Sequence, residues 1–337
     1  MYRAPHRFAS NATYALAMSS TAPSELPDFA AVEAAAARIA AHAHRTPVHT
    51  SHSLDALTGA ELVFKCENFQ RVGAFKFRGA CNAVWSLPEE IAARGVVTHS
   101  SGNHGAALAL AAQTRGIPAR VVVPEGAVKI KLAAIEAYGA TLHMCAPTMA
   151  ARDAEAERVR QETGATLVHP FTDPAVIAGQ GTAAFELVRE TGRLDALIAP
   201  IGGGGLIGGS AITMQALLPG VPVFAAEPEG AADAYESLRR GERVGDLVPD
   251  TICDGLRGVI GAINFALLKK YDVRVLPVAD RDTIAAMRLI WERMKLIVEP
   301  SSAIALAAVL RHRELFAGRR LGVILSGGNV DLGALPW

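Results

Sequence analysis

Lys76 stands between two phenylalanines in GAFKFRGA, residues 73–80, at the head of an expected helix. An amine in an apolar, partly desolvated place loses hydration, so its ammonium form is disfavoured. The neutral amine attacks carbonyl carbon and forms a Schiff base. The competing reading is a lysine stem that snorkels past two core rings. Ser100, Ser101, Gly102, Asn103, His104 and Gly105 follow the apolar run 96–99 and open a helix. Hydroxyls and free amides at a helix N-terminus cradle a carboxylate, although Ser and Asn also serve as ordinary caps. Gly202, Gly203, Gly204 and Gly205 separate a strand over 197–201 from a helix that begins at Leu206. Bare amides with a helix dipole behind them suit one phosphate. No Gly-Lys-Ser/Thr follows, so this is not a Walker loop. A GxGxxG can be threaded through 202–209, but it lies mid-chain and the acid downstream comes only at Glu227, which argues against a dinucleotide fingerprint. Ser326 follows the strand 321–325, where a hydroxyl meets a ligand heteroatom or simply shapes a turn.

An amine, a carboxylate cradle, a monophosphate cup and a hydroxyl for a ring nitrogen form one constellation. Pyridoxal phosphate uses all four: an aldehyde for Lys76, a phosphate for the glycines, a pyridine nitrogen for Ser326, and an amino-acid substrate that brings the carboxylate.

These loops need strands to deliver them. Short apolar strands at 96–99, 120–123, 141–144, 194–198, 221–226 and 321–325 alternate with helices at about 104–115, 129–138 and 150–162. Near-continuous Val/Ile/Leu runs with intervening helices predict parallel sheets covered on both faces, with ligands at the carboxyl ends of the strands. An Ala-rich patch at 34–41 predicts a helix entered at Asp28. No linker separates two halves, so the lobes are expected to be interleaved.

The chain has 337 residues, enough for about two domains. Lys+Arg and Asp+Glu are both 33, and a balanced charge argues against nucleic acid as main partner. No apolar run approaches the ~20 residues that span a bilayer. Cys66, Cys81, Cys145 and Cys253 are scattered and none is in a CxxC, which suggests buried thiols in a reducing, cytoplasmic setting. The leading stretch, with two arginines and no acid up to Ser20, reads as a weak transit peptide, an exposed arm or an upstream start ahead of Met18. His42, His44, His49 and His52 flank Pro47 at spacings that do not share a helical face, so they are read as surface imidazoles, not a metal site.

The chain resembles the fold-type II pyridoxal-phosphate enzymes, specifically the serine racemase and serine/threonine dehydratase family, near the threo-3-hydroxyaspartate dehydratases. GAFKFRGA (73–80), SSGNHG (100–105), HPFTDPAVIAGQGT (169–182), GGGGL (202–206), EPEGAADA (227–234), EPSSA (299–303) and SGGNVD (326–331) carry the likeness in the family order. The resemblance implies a two-lobed α/β fold of the tryptophan synthase beta-like type, parallel sheets flanked by helices and the cofactor in the cleft. It implies a large domain of residues 1–94 and 173–337, a small domain of 95–172 inserted in it, and a homodimer. Lys76 would hold the cofactor as a Schiff base and move the Cα proton on one face. Ser101 would act on the other. Phe75 would pack on the ring, Asn103 would bind its 3′-oxygen, Ser326 its nitrogen, and Gly202, Gly203, Gly204, Gly205 and Leu206 the phosphate. Ser100, Asn103, His104 and Arg152 would hold the substrate carboxylate. Glu227, Ala231 and Asp233 would hold Mg²⁺, or Ca²⁺ or Mn²⁺, through oxygen donors. The implied reaction is β-elimination from a β-hydroxy-α-amino acid of the serine, threonine, 3-hydroxyaspartate or phenylserine class. It gives a 2-oxo acid and ammonia, with serine racemisation through Lys76 and Ser101 as the alternative.

Two departures from the family stand out. DGL (254–256) runs into RGVIGAINF, where relatives carry serine or threonine near Gly258. Arg257 either serves a second substrate carboxylate or faces solvent, and Gly258 leaves room for a bulky Cβ group. Only six residues follow Asp331, so the regulatory C-terminal domain of biosynthetic threonine dehydratases, and isoleucine inhibition with it, is not expected.

Overall fold

The computed structural model describes residues 26–127 and 129–337. The readings of the leading stretch and of Met18 lie outside the described residues. Among the described residues ten strands form two sheets. They are β1 (Val48–His49), β2 (Glu61–Cys66), β3 (Val96–His99), β4 (Ala119–Pro124), β5 (Thr141–Cys145), β6 (Thr166–Leu167), β7 (Ala196–Pro200), β8 (Val223–Pro228), β9 (Arg274–Val278) and β10 (Arg320–Leu325). The larger sheet runs β1-β2-β10-β7-β8-β9 and is parallel except for β1. The smaller runs β5-β4-β3-β6 and is parallel throughout.

Every strand expected from the sequence is present, and β3 has the expected bounds. The strand expected at 194–198 begins later and runs to Pro200. β2 and β9 escaped the reading for separate reasons. Lys65 interrupts the apolar run of β2 yet is fully buried there. Pro277 lies in β9, which tolerates a missing N–H because β9 is an edge strand. The Ala-rich helix spans Phe29–Ile39, and the Asp28 carboxylate accepts from Ala31 N at 2.9 Å.

Three helices set the spacing of the cleft: Lys76–Trp85, Pro174–Thr191 and Gly205–Leu217. The middle one carries the AGQGT stretch and packs on both others through glycine. A Cβ on Gly179 would lie 2.6 Å from Gly79 Cα, and one on Gly181 2.7 Å from Gly209 O. Any side chain at these crossings would push the lysine helix or the glycine-cup helix off its support. The cluster around the helix Asn103–Arg115 also takes in Phe77, Ala80 and Cys81 from the lysine helix, so one apolar core joins the smaller sheet to that helix.

A buried charge network ties the lysine helix to its neighbours. Arg78, fully buried, donates from Nε and Nη2 to Glu67 at 2.7 and 2.8 Å, and from Nη1 and Nη2 to Glu186 at 2.7 and 2.8 Å. Lys65 Nζ reaches Glu186 at 2.7 Å, and Thr46 Oγ1 donates to Glu67 at 2.6 Å. Two cations meet two carboxylates, and each is hydrogen-bonded. Removing one partner leaves an uncompensated charge in the core. Glu67→Ala should therefore cost about 3–5 kcal/mol in urea unfolding. Glu157→Ala, which removes an exposed pair with Arg160, should cost no more than about 1 kcal/mol. Equal costs for the two would contradict this account.

Candidate active site

The strands deliver their loops at carboxyl ends, as parallel sheets do. β3 leads into Ser100 to Asn103, β7 into the glycine cup and β10 into Ser326. Lys76 begins the helix Lys76–Trp85 with Phe75 as its cap residue. Phe75 N donates to Ser326 O at 2.9 Å, and Ala74 bridges Gly327, so the lysine and Ser326 loops are bound together. Lys76 Nζ donates to Pro170 O at 3.0 Å and lies 5.1 Å from the Phe75 ring centroid. Lys76 keeps some exposed surface, so its site is a cleft, not a sealed cavity. Burial of the amine draws its pKa down to about 8.

The glycine cup is built as the sequence suggests, except that the helix begins at Gly205. Gly204 has φ +93°, and a Cβ on it would strike Ile260 and Asn264 at 2.6 and 2.7 Å. The amides of Gly202, Gly203, Gly204, Gly205 and Leu206 have no protein acceptor among the described residues. Partnerless amides behind glycines that admit no Cβ fit a phosphate, and Lys76 fits the aldehyde. Ser326 is buried, and its hydroxyl lies 3.4 Å from Ser301 O.

At the head of the helix Asn103–Arg115 the amides of Asn103 and His104 also lack protein acceptors among the described residues. Ser100 Oγ accepts from Gly102 N at 3.4 Å, and Ser101 Oγ has no partner among the described residues. Asn103 spans the cleft. Its Nδ2 donates to Glu299 Oε1 at 3.0 Å, and its Oδ1 accepts from Asn329 Nδ2 at 2.9 Å. Burial, and then the Asp254 charge, pushes the Glu299 carboxyl up to about 7. EPSSA marked Glu299 in the sequence, but nothing local paired it with Asn103, almost two hundred residues away. Lys131 and Asp254 add an ion pair between two further distant segments.

His104 is buried, its Nε2 3.4 Å from Val168 O and its Nδ1 unpartnered. Burial first, and Lys76 next, holds it well below the ordinary histidine pKa. His169 Nδ1 accepts from Thr172 N at 3.1 Å, and burial and His99 lower its pKa to about 3. Sequence reasoning gave His169 no role, though the 169–182 motif contains it. Arg152 lies half-buried, with Nη1 3.9 Å from Met149 Sδ and a buried, unpartnered Nε. Arg257 is exposed and donates from Nε and Nη2 to Thr251 O at 3.2 and 2.6 Å. A Cβ on Gly258 would make ordinary contact with Phe171 at 3.4 Å.

Glu227 is the penultimate residue of β8, beside the strand that feeds the cup. Its carboxylate accepts from Ala234 N at 2.8 Å and Tyr235 N at 2.9 Å, and burial raises its pKa to about 8. Asp233 accepts from Ile260 N at 2.7 Å, with its pKa raised by burial to about 6. Ala231 is buried between them in sequence. Of the histidines near Pro47, His42 stacks on Trp85 at 4.0 Å and His44 contacts Phe69 O at 3.1 Å.

Fold and cleft together define a fold-type II pyridoxal-phosphate enzyme. The chain belongs to the family described as "Pyridoxal-phosphate dependent enzyme", which matches residues 39–327. It is 47% identical to a beta-hydroxyaspartate dehydratase of Paracoccus denitrificans, over 93% of this chain and 99% of that one. It is 48% identical to a serine racemase of Dictyostelium discoideum, over 88% and 93% respectively. The solved structure of maize serine racemase superposes with a TM-score of 0.89 at 43% identity, over 91% of this chain and 95% of that one.

The lowered pKa of Lys76 has a direct consequence. In cofactor-depleted protein, capture of added pyridoxal by Lys76 should rise about tenfold per pH unit up to about 8 and then level off. A rate still climbing at pH 10 would show an ordinary lysine.

Proposed function

We propose that this enzyme is a dehydratase that converts a β-hydroxy-α-amino acid of the serine, threonine, 3-hydroxyaspartate or phenylserine class to a 2-oxo acid and ammonia. The observation that carries the reading is the meeting of three features in one cleft: the Lys76 amine, the partnerless glycine amides and the Ser326 loop tied to Phe75. The likeness to a beta-hydroxyaspartate dehydratase supports the substrate class. Bound pyridoxal phosphate supplies an aldehyde for the substrate amine and an electron sink for charge at Cα. Lys76 takes the Cα proton on its face. Phe75 would pack on the ring, Asn103 would bind the 3′-oxygen, and the neutral Ser326 hydroxyl would meet the ring nitrogen without protonating it, which would favour elimination. Gly202, Gly203, Gly204, Gly205 and Leu206 hold the phosphate. Ser100, Arg152 and the helix head at Asn103 and His104 hold the substrate carboxylate.

Serine racemisation is the second reading. Ser101, whose hydroxyl is free of protein partners, favours it as the acid/base on the opposite face, and so does the likeness to serine racemases. The two reactions separate by substitution. Lys76→Ala should abolish both. Ser101→Ala should slow enantiomer interconversion by roughly 10²–10⁴-fold while elimination from the enantiomer facing Lys76 persists. Oxo acid and enantiomer ratio are read from a panel of L-serine, D-serine, L-threonine, the 3-hydroxyaspartate diastereomers and phenylserine. Full turnover by Lys76→Ala would defeat the proposal.

Glu227, Ala231 and Asp233 are proposed to hold Mg²⁺, or Ca²⁺ or Mn²⁺. Two buried acids with backbone donors but no buried cationic partner among the described residues support this. Added Mg²⁺ at a hundredfold excess over its Kd should then stabilise the protein by about 2.7 kcal/mol. Glu227→Gln should lose that gain in a thermal melt. An identical Mg²⁺ response in the variant would remove the metal from this loop.

The division into a large domain, 1–94 and 173–337, and a small one, 95–172, is supported by the two sheets, which draw their strands from those segments. A homodimer is supported by Phe69 and Ile297, large apolar side chains about half exposed on segments joined by the Asn68 bond to Ile297 O. A cytoplasmic, reducing location fits four buried free cysteines, and no helix among the described residues is long and apolar enough to cross a membrane. The balanced charge fits a small-molecule substrate and not nucleic acid.

A further inference from the structure

Between β6 and the helix Pro174–Thr191 the chain passes directly behind the glycine cup. The Phe171 ring sits there in a socket of glycines from two loops. A Cβ on Gly203 would strike the ring at 2.4 Å, and one on Gly205, Gly258 or Gly261 would come within 3.3–3.5 Å of Phe171. Asn264, on the helix Ala262–Lys270, closes the socket and is fully buried. Its Nδ2 donates one hydrogen to Phe171 O at 2.9 Å and the other to Gly203 O. Gly203 O also accepts from Gly261 N at 3.2 Å. The Asn264 Oδ1 has no partner. A buried amide oxygen left unpaired opposes folding, so this side chain contributes through its two N–H groups.

The peptide joining Gly203 to Gly204 is trans, so its C=O and N–H point in opposite directions. Two donors behind the cup hold the Gly203 carbonyl there and thereby aim the Gly204 N–H the other way, into the cup. Two successive glycines have little intrinsic preference for that orientation, and without the donors the peptide is free to turn over. We propose that Asn264 is a positioning residue for the phosphate cup, locking the Gly203 to Gly204 peptide with the Phe171 carbonyl as its second anchor. The inference rests on Gly202, Gly203, Gly204, Gly205 and Leu206 holding the cofactor phosphate.

The test separates the phosphate from the rest of the cofactor. Cofactor-depleted full-length protein is titrated with pyridoxal phosphate and, separately, with pyridoxal, which has no phosphate. Schiff-base absorbance gives a Kd for each. Asn264→Ala should shrink the preference for the phosphorylated form by roughly tenfold or more, with pyridoxal binding unchanged. Asn264→Asp, equal in size but without N–H donors and with a charge that repels phosphate, should shrink it further. If Asn264→Ala does not fold, Asn264→Ser, which keeps one hydroxyl donor, should give an intermediate preference. Variants that weaken both ligands alike, or leave the preference within about twofold of the unsubstituted protein, overturn the inference, because a residue that only packs the helix affects both ligands equally. Absence of any preference in the unsubstituted protein would overturn the cup itself, and that result appears without any substitution.

Discussion

The arrangement depends most on a charge held where charges are costly. Arg78 lies two residues after Lys76, fully buried, with one carboxylate on either side. Such a side chain is tolerated only when every donor is met, and here Glu67, Glu186 and Thr182 meet them. Glu67 precedes the loop that carries the lysine, while Glu186 belongs to the long helix Pro174–Thr191. The network therefore fixes the lysine loop at both of its ends and docks the lysine helix on the long one. Apolar packing alone would let the loop shift with little cost, whereas a bidentate network tolerates little movement before a buried charge is exposed.

The glycine crossings add the second constraint. Gly179 and Gly181 face opposite neighbours on one helix, so the lysine helix and the cup helix share a single rigid reference. The separation between the lysine helix and the cup helix is thus set by backbone contacts, not by flexible side chains. A cofactor anchored at its phosphate and at its aldehyde needs that separation fixed before it binds.

The legible part of this site was local. The strand-end loops announced themselves because the glycines, the Ser100 loop, the Lys76 motif and Ser326 are each contiguous, and the strands that carry them are uniform apolar runs. The illegible part was pairwise and distant. Asn103 with Glu299, Arg78 with Glu186 and Asn264 with Gly203 join separate segments, and no spacing rule links them. β2 was hidden because Lys65, which would ordinarily mark a solvent face, is part of the buried network. Burial reversed the meaning of that residue, and only the three-dimensional partner reveals it. Arg257 shows the opposite limit. Its type allowed a substrate contact, but the backbone carbonyl of Thr251, six residues earlier in the chain, takes its Nε and Nη2 donors.

His104 and His169 have their pKa values lowered by burial, and nearby Lys76 further disfavours a second proton on each of them. Were either of them cationic, the lysine would lie beside a like charge. Kept neutral, they leave the Lys76 amine, which donates to the Pro170 carbonyl, as the proton carrier of that face on the proposed reading. Glu299, at about 7, titrates on the other side of Asn103 and reaches the cleft through an amide, not by direct contact with the lysine. The charge that matters for proton removal at Cα is therefore confined to one amine. On the reading proposed for Ser101, the opposite face offers a neutral hydroxyl, a far weaker base than an amine. A site so unequal across its two faces takes a proton readily on the lysine side and returns one slowly on the other. Loss of a β-hydroxyl needs only the first of these steps, and inversion at Cα needs both.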